Sequence, residues 1–263
     1  MGHATVAGVK PGRPWENQDA CLMISVPENK VLAGVFDGHG PNGQKASARV
    51  KEIVTSTAAQ FLGNVTNGEQ AKVGFGTLCD HLHSLLDDEG LCAFSGTTAN
   101  FALLDLVAET VIFANVGDST GVLFDRQAIT FVTKDHKIDD EATERIKAAG
   151  GEVRVEGVQR VFFPGKVLPG LALARALGDT KASKIGVICQ PDVSDVLPFK
   201  DGGLLLCSDG VWDVVPHAQA VQESLRAKDA QAAAASLAQA AVARWPENMD
   251  RDDITVLTLL AAP

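Results

Sequence analysis

Two short apolar runs in this chain each end in an Asp-Gly pair, and a third ends in Gly-Asp-Ser. The first is Val31-Leu32-Ala33-Gly34-Val35-Phe36-Asp37-Gly38-His39-Gly40 and the second is Gly203-Leu204-Leu205-Leu206-Cys207-Ser208-Asp209-Gly210. The third is Val111-Ile112-Phe113-Ala114-Asn115-Val116-Gly117-Asp118-Ser119. Apolar runs of this length, bounded by Gly and Asp, read as buried strands. A carboxylate at the mouth of such a strand is costly to desolvate unless a positive charge compensates it. Gathered together, the carboxylates make an all-oxygen site suited to a divalent cation. Two further acidic positions have the opposite polarity: Asp19 precedes the apolar run 20–26, and Asp252-Asp253 precede the run 254–260. In an antiparallel sheet the start of one strand and the end of its neighbour share an edge. Asp19, Asp37, Asp209 and Asp252 therefore converge if the sheets are antiparallel and are split between opposite edges if they are parallel. The alternative is that each Asp-Gly is a hairpin turn, with Gly supplying positive φ, and that His39 is a loop histidine. Turns require neither a His at that place nor acids at compatible ends of several strands.

The remaining pattern alternates strands with amphipathic helices. Residues 44–62 put Ala46, Val50, Ile53, Val54, Thr57, Ala58 and Phe61 on one helical face, and 69–88 direct Leu78, Leu82, Leu85 and Leu86 inward. A short helix is expected over 139–149, with Asp139, Asp140 and Glu141 at its positive end and Gly150-Gly151 at its stop. The Ala-rich stretch predicts one long helix over 216–243. Strands are expected at about 20–26, 31–36, 98–106, 110–116, 121–125, 128–132, 152–155, 204–207 and 254–260. This order gives an α+β class in which antiparallel sheets are covered by helices on their outer faces. With no repeat or linker, residues 1–263 read as a single domain.

Charge and cysteine usage narrow the partners. The net charge of -10 argues against nucleic acid and anionic membrane surfaces, which attract basic patches. The five cysteines, Cys21, Cys79, Cys92, Cys189 and Cys207, are scattered and form no CxxC pair. They read as small buried hydrophobes in a reducing compartment rather than a disulfide or zinc framework. No apolar signal region or membrane-spanning run is present, and Val6 stands where an N-myristoylation start requires Ser or Thr. The expected location is the cytoplasm, with the nucleus as a second address, and the expected state is a monomer.

Read in order, the motifs form a set. They are Glu16-Asn17-Gln18-Asp19-Ala20, Phe36-Asp37-Gly38-His39-Gly40, Ser95-Gly96-Thr97-Thr98-Ala99 and Asn115-Val116-Gly117-Asp118-Ser119. Asp135-His136-Lys137, Ala174-Arg175-Ala176-Leu177-Gly178-Asp179, Cys207-Ser208-Asp209-Gly210-Val211-Trp212-Asp213 and Arg251-Asp252-Asp253-Ile254-Thr255-Val256 follow. In this order and spacing the chain resembles the metal-dependent Ser/Thr protein phosphatases of type 2C over essentially its whole length. The resemblance implies two central antiparallel β-sheets in a sandwich flanked by α-helices on both outer faces, a four-layer αββα arrangement, with a binuclear Mg²⁺ or Mn²⁺ centre at one edge. It implies that Asp37 bridges both metals, that Gly38 lends its carbonyl to one, and that Asp209 and Asp252 ligate the second. Asp19 matches the position that hydrogen-bonds metal-bound water, and Asp118 and Asp213 match positions linked to a weaker third metal, with Thr98 nearby. His39 matches the general acid for the leaving alkoxide. The implied reaction is hydrolysis of phosphoserine or phosphothreonine in protein substrates by direct attack of a metal-activated water.

Several positions depart from the family pattern. Gln18 stands where many animal members carry Glu. Arg13 is the candidate phosphate-binding residue, its spacing to Asp19 one residue longer than in the animal branch, and a solvated surface Arg is the alternative. Ile138 stands where Pro is common. Arg175 and Asp179 read as structural, an internal ion pair or a turn lock. Residues 150–200 correspond to the variable flap of the family, where Phe162 and Phe163 pack the loop down. Two rival functions are an inactive relative acting as a binding scaffold, and a metal hydrolase of small phosphate esters or nucleotides. Retention of Asp19, Asp37, Asp118, Asp209, Asp213 and Asp252 counts against the first, and the ordered motif set counts against the second.

Overall fold

The computed structural model describes residues 1–12, 14–247 and 249–261. The first half of the chain runs β1 (Gly2–Val6), β2 (Asp19–Val26), β3 (Lys30–His39), α1 (Gly43–Leu62), α2 (Gly68–Asp88), β4 (Gly96–Thr97), β5 (Ala99–Asp105), β6 (Thr110–Val116), β7 (Thr120–Phe124) and β8 (Ile129–Val132). There follow α3 (Asp140–Ala148), β9 (Glu152–Glu156), β10 (Val158–Phe162), β11 (Pro169–Leu171), β12 (Leu177–Gly178), β13 (Asp192–Val193) and β14 (Leu197–Pro198). The chain closes with β15 (Gly203–Cys207), α4 (Asp209–Trp212), α5 (His217–Arg226), α6 (Ala230–Arg244) and β16 (Ile254–Leu260).

Two antiparallel sheets form the centre, one ordered β1-β16-β15-β7-β8 and one built around β12-β4-β3-β5-β6-β13, with β2 on β3 and β14 on β6. The two-residue period of a strand sorts the side chains into layers. On β3, Leu32 and Phe36 join α1, α2 and β5 in one core, while Val31, Ala33 and Val35 face the other sheet. On β15, Leu204 and Leu206 meet that same intersheet layer, whereas Leu205 and Cys207 pack against α5 and α6. Three apolar layers thus lie between helix pair, sheet, sheet and helix pair, as the expected sandwich requires. Phe36, Phe75 and Phe101 interlock under α2 with ring centroids 5.4 and 5.6 Å apart. A smaller three-stranded sheet, β11-β10-β9, and α3 form a flap with its own core, in which Val161, Phe163 and Ile146 pack together.

The expected single helix over 216–243 is instead two. α5 ends at Arg226, and α6 restarts after Asp229, whose side chain accepts from the Ala232 N–H. An N-terminal cap satisfies an orphan donor and so favours a new helix start over continuation. β1, β10 and β11, and the two-residue strands β4, β12, β13 and β14, were not expected. β1 is short and pairs along β16 in register Gly2↔Thr258 to Val6↔Ile254. Among the described residues no helix is long and apolar enough to cross a membrane, and all five cysteines are free.

Candidate metal centre and active site

Neither Asp-Gly pair is a hairpin turn. Asp37, Gly38 and His39 continue β3, where Gly38 pairs with Thr97 and His39 with Gly96. Asp209-Gly210 opens α4 directly after β15. The glycines are needed for close approach: a Cβ on Gly38 would overlap the Gly43 and Gln18 carbonyls, and one on Gly210 would overlap the Asp253 carbonyl. Gly117, just before Asp118, has φ +100° with Thr98 packed against it, a conformation that favours glycine.

The antiparallel register places the acids as the strand polarity requires. Asp19 at the start of β2 lies directly across from Asp37 near the end of β3. Cys207 at the end of β15 lies across from Val256 on β16, which draws Asp209 and the Asp252-Asp253 pair to the same edge. Asp37, Gly38, His39, Asp118, Asp209 and Asp252 line one cleft of about 410 Å³. Asp19 and Asp213 stand beside that lining. Asp213 is exposed, and its carboxyl is raised by burial and by Asp252 and Asp135 while Lys137 opposes the shift. Arg13 lies outside the described residues.

Like charges directly across a ladder repel, and the electrostatics of the site register it. Burial, then the charges of Asp19, Asp209, Asp252 and Asp118, push the Asp37 carboxyl well above the usual carboxylate range. Asp209 is driven the same way by burial and by Asp118, Asp252 and Asp213. Asp19 is pushed up to about 7, chiefly by burial, although hydrogen bonds from Thr255 and Ser208 oppose the shift. Asp118 rises to about 6 through burial and Asp135, with Lys137 and His39 opposing. Charge that a fold concentrates at such cost marks a functional site.

Supporting contacts fix these carboxylates. The Ser208 hydroxyl donates to Asp19 Oδ2 at 2.8 Å, and the Thr255 N–H donates to the Ser208 Oγ at 2.9 Å. The Asp37 N–H donates to Thr98 Oγ1 at 3.0 Å. Asp253, buried beside Asp252, takes no part in the cleft. It accepts from the N–H groups of Gly8 at 2.6 Å and Gln18 at 2.8 Å and from Trp15 Nε1 at 3.0 Å. Gln18 knits the same corner together. Its carbonyl accepts from the Gly38 N–H and the Ser47 hydroxyl, and its side-chain amide donates to the Gly40 carbonyl.

Two charged residues of the cleft, Lys10 and Arg160, belong to none of the sequence motifs, and a third, Asp179, belongs to one but was expected to be structural. Lys10 lies 3.4 Å from Asp252 Oδ1 and over the Trp15 ring. Arg160, on the flap strand β10, faces the cleft with its Nη1 donating to the Gly170 carbonyl at 2.7 Å. Asp179 Oδ2 sits 2.5 Å from His39 Nε2. Arg175 and Asp179 therefore each have an ionic partner, but not each other: Arg175 pairs with Asp192 at 2.8 Å. The sequence held a signal for Lys10, which shares its short loop with the suspected Arg13. It held none for Arg160, which reaches the cleft by chain return alone, and for Asp179 the motif gave the position but not its contact with His39.

The chemistry of its own atoms suits the donor set to divalent cations. Asp19 Oδ1 is buried without a hydrogen-bond partner, and the carboxylates around it raise one another. All the side chains concerned offer hard oxygen, the ligand type that Mg²⁺ and Mn²⁺ prefer. Among the described residues the acids ring the cleft rather than closing on a common point in groups of three. Ions that keep several of their waters need no closed protein cage. The residues fit.

A sandwich of antiparallel sheets with helices outside and an acid-lined cleft at one edge is the architecture of solved serine/threonine phosphatases. Solved structures share the fold. A Toxoplasma gondii serine-threonine phosphatase 2C superposes with a TM-score of 0.76 at 21% identity, over 98% of this chain and 93% of that one. A PPM Ser-Thr phosphatase from Mycobacterium smegmatis does so with a TM-score of 0.66 at 24% identity, over 99% and 97%. Sequence relatives lie nearer. Probable protein phosphatase 2C 61 of Arabidopsis thaliana is 33% identical over 92% of this chain and 80% of its own length. Probable protein phosphatase 2C 72 of the same plant is 34% identical over 92% and 81%. The Protein phosphatase 2C family pattern matches residues 14–249, and the chain belongs to that family.

Proposed function

We propose that this protein hydrolyses phosphoserine and phosphothreonine in protein substrates, using two Mg²⁺ or Mn²⁺ ions and a weaker third. The observation that supports this most is the register that sets Asp19 across from Asp37 and brings Asp209 and Asp252 to the same edge. Asp37, Asp209, Asp252 and the Gly38 carbonyl would hold the two core ions, with Asp19 beside them and Asp118 and Asp213 serving the third. Bound divalent cations would supply a hydroxide nucleophile near neutral pH and offset the charge on the phosphoryl oxygens. Lys10 and Arg160 face the cleft and attract the dianionic phosphate ester, and Arg13 is proposed to add a bidentate contact. Pro169 to Leu173 also line the cleft and would shield a bound substrate from bulk water. His39 gives its proton to the seryl or threonyl oxygen, which is a poor leaving group as the bare alkoxide. Burial disfavours its charged form, but the Asp179 carboxylate outweighs burial and leaves its pKa raised above the ordinary histidine value.

The test is phosphate release from a phosphothreonine peptide with Mn²⁺, with Mg²⁺, and with EDTA, set beside a nucleotide substrate. Metal-dependent release from the peptide, abolished by chelation, is the expected result. Release from the nucleotide alone would point to a small-ester hydrolase. No release from a folded protein with either metal would overturn the reading in favour of a binding scaffold.

A further inference from the structure

We infer that Asp179 is the positioning residue of His39, holding the imidazole by Nε2 so that Nδ1 is the atom that meets the leaving oxygen. The inference rests on the reading of His39 as proton donor. Asp179 reaches His39 across 140 residues of sequence and contacts it at 2.5 Å, Oδ2 to Nε2. Its side chain is buried, at 3% exposure, yet both residues border the acid-lined cleft. A buried carboxylate needs a charged or donating partner, and among the described residues its side-chain hydrogen bond is to His39.

The backbone around Asp179 is built to present that carboxylate. Asp179 has φ +46°, in the left-handed region that Asp and Asn tolerate better than most residues. Its N–H donates to the Ser95 carbonyl at 2.8 Å, and the next N–H, of Thr180, donates to the Cys92 carbonyl at 2.9 Å. Its own carbonyl accepts from the Ser183 N–H at 3.0 Å. The residue paired with His39 across the ladder is Gly96, and a Cβ there would overlap Asp179 Oδ2. Gly96 thus leaves the slot through which the carboxylate reaches the ring. A turn lock alone would require none of this, because the backbone bonds already close the turn.

The chemistry follows from the contact. A carboxylate acceptor assigns a proton to Nε2, so the proton that His39 delivers is carried on Nδ1. As the bond from phosphorus to the seryl oxygen breaks and the bond to the attacking water oxygen forms, the Nδ1 proton passes to the seryl oxygen. Serine leaves as the alcohol, the remaining water proton goes to solvent, and phosphate is released. The ring is left neutral with its Nε2–H on Asp179 and regains a proton from solvent before the next turnover.

The experiment compares His39→Ala, Asp179→Asn, Asp179→Gly and the double variant His39→Ala/Asp179→Asn at saturating Mn²⁺. Both Asp179 replacements suit a positive φ, and thermal unfolding checks that each variant is folded. Each is assayed on a phosphoserine peptide and on p-nitrophenyl phosphate, whose leaving group needs no protonation. For both Asp179 variants kcat on the peptide should fall by about 100-fold, with KM unchanged and the aryl phosphate rate nearly retained. The double variant should be no slower than His39→Ala alone, since residues that act as one unit are not additive. Loss on both substrates together, or on neither, with His39→Ala still selective for the peptide, would overturn the role of Asp179. Equal loss on both substrates in His39→Ala would instead refute the proton-donor reading beneath it, and the inference with it.

Discussion

Asp252 and Asp253 are neighbours in sequence and chemically identical, yet replacing each with Asn should have opposite consequences. Asp253 is buried at 3% exposure and accepts from three donors, the N–H groups of Gly8 and Gln18 and the Trp15 indole. Hydrogen bonds to a charged acceptor are each worth about 1.5–3 kcal/mol, more where removal leaves a buried donor unpaired. Asparagine with its oxygen at the Oδ1 position keeps Gly8 and Trp15 but turns an NH₂ toward the Gln18 N–H, so one bond is lost, a buried donor is left unpaired, and the other two bonds drop from charged to neutral strength. Asp253→Asn should then cost about 3–5 kcal/mol, a fall in Tm on the order of 10 °C for a chain of this size. Asp252 has a side chain 46% exposed, with Lys10 at 3.4 Å as its ionic contact, an exposed pairing worth about 0–1 kcal/mol. Asp252→Asn also relieves repulsion on Asp37 and Asp209, so its Tm in EDTA should be unchanged or higher. Turnover should invert the order. Asp252→Asn loses metal-dependent activity, whereas Asp253→Asn, assayed well below its own Tm, keeps most of it. The measurements are thermal unfolding by circular dichroism in EDTA and phosphate release at saturating Mn²⁺. Equal destabilisation by both variants, or an unshifted Tm in Asp253→Asn, would refute the division of roles.

Other expectations follow from the same cleft. Asp37→Asn or Asp209→Asn should reduce metal-dependent turnover by more than the ~10–100-fold typical of residues outside the metal ligands, with the fold intact by circular dichroism; retained metal-dependent rate would remove either residue from the ligand set. Because Asp19, Asp37, Asp118 and Asp209 all have folded pKa values above the unfolded carboxylate value, the metal-free protein is most favoured below about pH 4 as far as these groups are concerned. It should lose that contribution as pH rises through about 6 and 7, the folded values of Asp118 and Asp19. Denaturant titrations in EDTA across this window should show the decline, and saturating Mn²⁺ should flatten it; a metal-free stability that climbs from pH 4 to 7.5 would contradict the raised values. Arg160→Ala removes a flap cation from the cleft wall, and steady-state kinetics should show KM for a phosphopeptide raised about 5-fold, the effect of about 1 kcal/mol of screened attraction, with kcat little changed.

Much of the site was legible in the chain because it is encoded in short segments. Asp37, Asp118 and Asp209 each end an apolar run, and Asp19 and Asp252 each begin one, so strand polarity alone limits how they can meet. The amphipathic helices over 44–62 and 69–88 were likewise local, and they appear as Gly43–Leu62 and Gly68–Asp88. The helix over 216–243 was misread because alanine propensity outweighed a local signal, the Asp229 cap, that was present in the sequence. The flap strand Val158–Phe162 was missed for a different reason: its burial runs from exposed to buried along its length, with no period-2 pattern to find.

What the sequence determined by itself was the set of strand ends that carry carboxylates and the antiparallel pairing their convergence demands. Both depend on side-chain period and on the cost of desolvating charge, and those act over a few residues. The family resemblance singled out Asp252, but only the tertiary structure showed what its neighbour does: Asp252 lines the cleft while Asp253 is spent holding Trp15, Gly8 and Gln18. Only it brought Asp179 to His39 and Arg160 to the cleft. Those contacts join segments far apart in the chain, and such contacts exist only once the sheets have been paired and the flap has been folded against them.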